Sequence, residues 1–472
     1  MLAVASVVFA AHAWLVRSAG SPLPFWDQWD AELLGLYQPW SEGRWSWWQL
    51  FSAHNEHRIA LTRLTDLALF AVEGWNPWHQ LLVNAVLHAA CAAALAALFW
   101  RSLRGIAGVA FVVVLTTLFA SACGWQNALW GFQSCFCFAN LLSVAAIAGL
   151  CSTLFSRAWW LGLLAGVVAL YSEGSGVLAV AAAFLVIAGL APLQPPSKLF
   201  GLALGLIAGV IMLGWLLHVD VPENAPYRAH TPPQFLAVLT NCLAWPQITR
   251  GYFACLMQAP LLWLLFDHAR RRQPLDYATR CAVALALCSG LHAAAVAYAR
   301  GGVLPDARPL SRYQDALLLG AAAQLFAALK LARRDKSAGR LLLCGWLAVL
   351  AAGLITLTEA NFSVQLPFKR LQDRTNLAIV RAYDETHDAG VFASDSLFHG
   401  PHPEPKVVQR ALDDPALRRL LPRGLLERGE DVAQTMPWPV IHAPLLTALA
   451  GFAFATALWA AWWCSTKIDG PI

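Results

Sequence analysis

Charge is what this chain has least of. Asp, Glu, Lys and Arg together make up 13% of its 472 residues, against about 25% in soluble domains. So few charges cannot cover a water-facing surface of this size, which excludes a set of ordinary soluble domains, a disordered chain and a collagen-like repeat. The chain also lacks CxxC pairs and metal-type cysteine spacing. Of its 11 cysteines, Cys91, Cys135, Cys137, Cys151, Cys255, Cys281, Cys288 and Cys344 lie inside apolar runs. Only Cys123 and Cys242 fall near a polar loop, so the cysteines read as small apolar packers and not as a disulfide scaffold. No Walker motif, GxGxxG, nucleophile elbow or internal repeat is present. The net charge of +5 is no sign of nucleic-acid binding, because the basic residues sit between apolar runs. What remains is abundant: 58% hydrophobic residues and a mean hydropathy of +0.53. The chain is a polytopic membrane protein.

A spanning helix needs about 20 mostly apolar residues. Twelve runs approach that length: 1–16, 80–100, 105–122, 135–155, 159–171, 177–191, 199–217, 251–267, 279–299, 314–331, 341–358 and 441–463. The stretch 159–191 is too long for one crossing and is divided by Ser172-Glu173-Gly174-Ser175-Gly176, read as a hairpin. If the spans alternate, Arg101/Arg104, Arg157, Lys198, Arg270–Arg272 with Arg280, and Lys330 through Arg340 share one side, which should be cytoplasmic. Residues 17–79, 123–134, 218–250, 300–313 and 359–440 then face outward. The first run has no basic leader and reads as a span, not a cleaved signal. The expected organisation is an all-α membrane module over 1–358 with an outer loop at 17–79. A small outward appendage at 359–440, α or α+β, and a last span with its tail at 441–472 complete it.

The first outer loop concentrates acid and aromatic side chains, opening Pro24-Phe25-Trp26-Asp27-Gln28-Trp29-Asp30. On a helix, Asp27 and Asp30 would project from one face. Such a pair suits a general base tuned by its neighbour or a site for a hard divalent cation, Mg or Mn, beside a phosphate. It equally suits plain capping of a juxtamembrane helix. His54, Glu56, His57 and Arg58 form either a phosphate-handling cluster at a helix start or a polar interfacial turn. From Arg58 onward, Thr62, Asp66 and Glu73 recur near helical spacing with Leu64, Leu67 and Ala71 between them, predicting an amphipathic helix on the membrane surface. Trp26 and Trp29 fit sugar stacking as well as interfacial anchoring. In the loop Gly124-Trp125-Gln126-Asn127, the amides Gln126 and Asn127 suit sugar hydroxyls or an interfacial anchor. Arg312 and Tyr313, and more loosely Arg308 and Arg300, precede the tenth run as candidate phosphate contacts, or as snorkelling residues. In the appendage, Asp384, Asp388, Asp395, His399 and His402 read as a solvated polar surface.

The order of features, a first span, an acidic pair, an aromatic amphipathic stretch, a His-led helix start and a second span, resembles the first outer loop of the C-type glycosyltransferases, the GT-C superfamily. Asp27-Gln28-Trp29-Asp30 stands where that family carries an adjacent Asp-Glu. His54-Asn55-Glu56-His57-Arg58-Ile59 stands where it carries His-Pro-Pro. Arg312-Tyr313 matches an Arg-Tyr common in the family, where arginine meets the lipid-linked phosphate. The spaced Asp pair and the missing prolines leave the base open between Asp27 and Asp30. The resemblance implies an inverting glycosyltransferase of a bacterial-type inner membrane, its active site facing outward. It implies a polyprenyl-phosphate-linked sugar donor and a glycan, lipid or protein acceptor, with a divalent cation undetermined. The rival expectations are a flippase or transporter of lipid-linked glycans, and a noncatalytic assembly protein.

Overall fold

The computed structural model describes residues 1–190, 198–335, 337–393, 400–427 and 436–468; Asp395 and His399 lie outside them. Each of the twelve apolar runs carries a helix. Among the described residues, eight helices are long and apolar enough to cross a membrane, including Leu2–Ala19, Pro77–Leu103, Lys198–Leu217, Tyr277–Arg300 and Ser311–Arg334. Arg157–Ala169, Gly176–Gly189 and Ala443–Leu458 are shorter apolar helices. Among the described residues there is no strand; His54 and His57 form an isolated bridge. The appendage is therefore α, and its α+β alternative is set aside on the described residues.

Local chemistry sets the helix starts. Asn76 accepts the Trp78 N–H at 3.1 Å with Pro77 at the first helical position. Asp276 accepts the Thr279 N–H at 2.9 Å, and Thr231 and Gln234 close a capping box. Each removes an orphan donor from the first turn. Packing does the rest. Ser311–Arg334 is the central helix, 83% of its apolar window being buried, whereas Lys198–Leu217 lies at the periphery with 17%. Phe326 of the central helix stacks on Phe99 at 4.6 Å. Where Ser134–Leu150 crosses Arg157–Ala169, a Cβ on Gly162 would stand 2.6 Å from the Cα of Gly149. Two facing glycines let these backbones touch, the usual device for close helix contact in lipid.

The apolar run ending near residue 358 does not end its helix. Ala338–Ala360 passes through a wider turn, Asn361–Gln365, into the polar helix Leu366–Thr386. The sequence boundary at 359 marks where the rod changes from apolar to polar composition. This polar half, with Pro405–Asp413 beyond it, packs on the first outer loop: Trp29, Leu33, Leu36, Tyr37 and Trp75 share one core with Val380, Tyr383, Val408 and Leu412. The loop and the appendage form one layer. Asp384 pairs with Arg418, and Asp388 accepts the Gly390 N–H at 2.8 Å.

The amphipathic helix forms over Ala60–Glu73. Its polar stripe faces inward: Thr62 and Asp66 are buried, while Leu64, Ala68, Ala71 and Val72 are exposed. Gln80 explains the inversion. Its Nε2 donates to Asp66 Oδ1 and Glu32 Oε2, both at 2.8 Å, and Gln28 Nε2 and Tyr37 OH donate to Glu32 at 3.3 Å. The exposed apolar stripe is the face such a helix offers to lipid. Burial pushes the Asp66 carboxyl up to about 7, and pushes Glu32 upward too, helped by the Asp66 charge. Because the folded chain holds a proton that the unfolded chain releases near 4, this knot stabilises at low pH. The contribution is lost as pH rises through about 7. Unfolding midpoints between pH 5 and 8 should fall by an amount worth a few kcal/mol, and Glu32→Gln should flatten that slope. A slope unchanged in Glu32→Gln would show that the knot is not its source.

Candidate active site

A cavity of about 1360 Å³, counting its open mouth, lies at the end of the helices that carries the first outer loop. It gathers residues from six parts of the chain. Asp27, His54, Glu56 and His57 come from the first loop, Glu173 from the Ser-Glu-Gly-Ser-Gly hairpin, and His218 and Arg228 from the segment after Lys198–Leu217. His292 and Arg300 come from Tyr277–Arg300, and Arg312 and Tyr313 from the start of the central helix. Trp130, Phe132 and Phe136 supply an aromatic wall. Three arginines and three carboxylates therefore face one chamber.

Asp27 and Asp30 do not act as a pair. Residues Gln28–Tyr37 wind as a wide π-type helix, so the residue three positions on is carried to a different bearing than in an α-helix. Asp27 turns to the cavity, its Oδ2 3.6 Å from His54 Nε2. Asp30 turns to the appendage: its Oδ1 accepts the Ala31 N–H at 2.7 Å and its Oδ2 lies 3.8 Å from His402 Nε2. Burial pushes Asp30 up, but His402 and the Ala31 N–H outweigh it and leave the carboxyl below its ordinary value. The same contact raises His402 against its own burial. Trp26, at a positive φ of 48°, makes the turn into this segment, and its N–H donates to the Pro401 carbonyl at 3.0 Å. Residues 401 and 402 thus hold both sides of the turn that aims Asp27.

His54 and His57 exchange backbone hydrogen bonds at 2.8 and 3.0 Å across a tight turn with Asn55 at φ 48°. This hairpin, not a helix N-terminus, puts both imidazoles into the cavity. His57 Nδ1 accepts the Gly174 N–H at 3.2 Å, so the proton of the neutral ring sits on Nε2, 3.5 Å from Glu173 Oε1. Glu173 Oε2 accepts the Ser175 N–H at 2.7 Å. Burial works to raise Glu173, yet His57 and Ser175 bring it below its ordinary value, so it is an anion inside the cavity wall. Glu56 accepts from Asn224 at 2.9 Å and lies 3.6 Å from Arg300, whose Nε donates to Tyr313 OH at 3.3 Å.

Several expected site residues are elsewhere. Arg58 donates to the Phe51 and Leu217 carbonyls at 2.6 and 3.3 Å, tying the loop down and leaving the cavity lining. Trp29 is buried and donates to the Pro24 carbonyl at 2.9 Å, so its faces are closed to a sugar. Trp26 stacks on Phe25 and stays outside the lining, as does Arg308. Gln126 and Asn127 are braces: Gln126 Oε1 accepts the Arg312 N–H at 3.2 Å, and Asn127 Nδ2 donates to the Arg312 carbonyl at 2.9 Å and to Asp315 at 2.8 Å. They fix the turn carrying Arg312, whose guanidinium lies 5.2 Å over the Tyr313 ring.

Arg228, His218 and His292 are not among the site residues expected from sequence, and Arg300 is expected only as a loose phosphate contact. A histidine in the middle of the run 279–299 is the available signal, since ionisable residues within apolar spans serve a purpose more often than not. The Asp pair is split, and among the described residues no group of three or more His, Cys, Asp and Glu is placed to hold a metal ion. No protein-family model, curated protein or solved structure matches the chain.

Proposed function

We propose that the chain is a membrane glycosyltransferase of the GT-C type, taking a sugar from a polyprenyl-phosphate donor to an extracytoplasmic glycan, lipid or protein. The observation that carries this reading is the single cavity in which Asp27 meets Arg312, Arg300 and Arg228. Asp27 accepts the proton of the acceptor hydroxyl, oriented by His54. The acceptor oxygen attacks the anomeric carbon, the bond from that carbon to the phosphate oxygen breaks, and the lipid phosphate departs with the electron pair. The configuration inverts. Charge growing on the phosphate is met by Arg312 with Arg300, guanidiniums placed before the anion forms.

In this reading all twelve helices cross a bacterial-type inner membrane, with the basic loops inside and the cavity outside. A donor carried in the bilayer suits a compartment that nucleotide sugars do not reach. A flippase would place its charged residues near the midplane. It would also be expected to carry internal repeats, and the sequence has none. Mass analysis of surface glycans from cells with the chain, without it, and with Asp27→Asn tests the reading. A glycan lost in the last two, with the variant still inserted, is the expected result; identical glycans in all three would refute it.

A further inference from the structure

We infer that Glu173, His57 and His292 form a subsite that reads the hydroxyl groups of the donor's sugar ring, separate from the phosphate role given to the arginines. The inference rests on the transferase reading above and names what that site selects.

Three observations carry it. First, His292 is 4% exposed, lines the cavity, and its Nε2 has no hydrogen-bond partner. A buried polar nitrogen left alone costs about 1–3 kcal/mol, and on a residue of the cavity lining a ligand entering that cavity is the partner that would relieve it. Second, Glu173 and His57 are held by the backbone and not by each other alone. Ser175 N–H fixes one carboxylate oxygen and Gly174 N–H fixes His57 Nδ1, leaving Glu173 Oε1 and the His57 Nε2–H turned together. Third, no room exists for slack: a Cβ on Gly174 would stand 2.6 Å from His57 Nδ1. The hairpin glycine is what lets the backbone approach the ring.

The chemistry favours hydroxyls. Each sugar hydroxyl both donates and accepts, and an acceptor carboxylate beside imidazoles supplies both roles within one small surface. A phosphate would meet the Glu173 anion and be repelled. Trp130, Phe132 and Phe136, lining the same chamber, provide the apolar and aromatic face with which ligand pockets hold a ring.

The test compares two lipids on the full chain in nanodiscs: a short-chain polyprenyl-phosphate hexose panel, and bare polyprenyl phosphate. The wild type should bind at least one sugar-bearing lipid about tenfold or more tightly than the bare lipid. Glu173→Gln, His292→Asn and Gly174→Ala should each erase that difference while holding the bare lipid as the wild type does, which also shows that they are folded. Arg312→Ala should weaken both lipids. Equal wild-type binding of bare and sugar-bearing lipids, or a preference that survives in Glu173→Gln and His292→Asn, overturns the subsite. Binding of neither lipid by the wild type overturns the transferase reading and the subsite with it.

Discussion

Asp27→Asn is expected to cut sugar transfer by about 10²–10⁴-fold, the range that a positioned general base contributes. Asparagine keeps the shape and loses only the capacity to take a proton, so insertion and lipid binding should be retained. Asp30→Asn is the matched control, because the two carboxylates are not equivalent. Asp27 faces the chamber beside His54, whereas Asp30 is turned to Ala31 and His402. Asp30→Asn should therefore keep the rate and weaken the layer of loop and appendage by no more than about 1 kcal/mol, the ceiling for a partly exposed ion pair. Initial rates with a labelled polyprenyl-phosphate sugar decide it. The reverse ranking of the two variants would place the base on Asp30.

Arg312→Ala is expected to lower transfer by about 10²–10³-fold, the loss typical when one fixed charge-stabilising donor is removed from a developing anion. The residue is held before any ligand arrives, its N–H on Gln126, its carbonyl on Asn127 and its guanidinium over Tyr313. Arg312→Lys should recover little, since an ammonium keeps the charge but not the planar fork that meets two phosphate oxygens. Gln126→Ala, which loosens the brace without touching the charge, should fall between. Lipid affinity and single-turnover rate, measured separately, should both drop in Arg312→Ala; an effect on neither would remove Arg312 from the site.

The helices are legible in the sequence because apolar runs bounded by caps and basic loops are a strong, local signal. The cavity is only half legible. Asp27, His54, Glu56, His57, Arg312 and Tyr313 stand out by loop position and charge type, and they do meet. The Asp27–Asp30 pairing fails because three-residue spacing implies a shared face only on an α-helix, while Pro401 and His402, nearly four hundred residues later, hold a turn and a wider coil there. Gln126 and Asn127 show the same limit: an exposed-looking amide among aromatics gives no hint that its partner is the backbone of Arg312. The inward polar face of Ala60–Glu73 is hidden for a related reason. Gln80, beyond the next turn, converts Asp66 from a solvent residue to a buried one. His292 is legible in principle, as a lone imidazole in an apolar run.

A cryo-electron microscopy map of the full chain in nanodiscs with a bound polyprenyl-phosphate sugar tests most directly whether acid–base and phosphate chemistry share one chamber. The expected density puts the phosphate against the Arg312 guanidinium, with the anomeric carbon open toward the Asp27 carboxylate. A lipid phosphate seated away from Arg312, or a wall of protein between it and Asp27, would contradict the assignment.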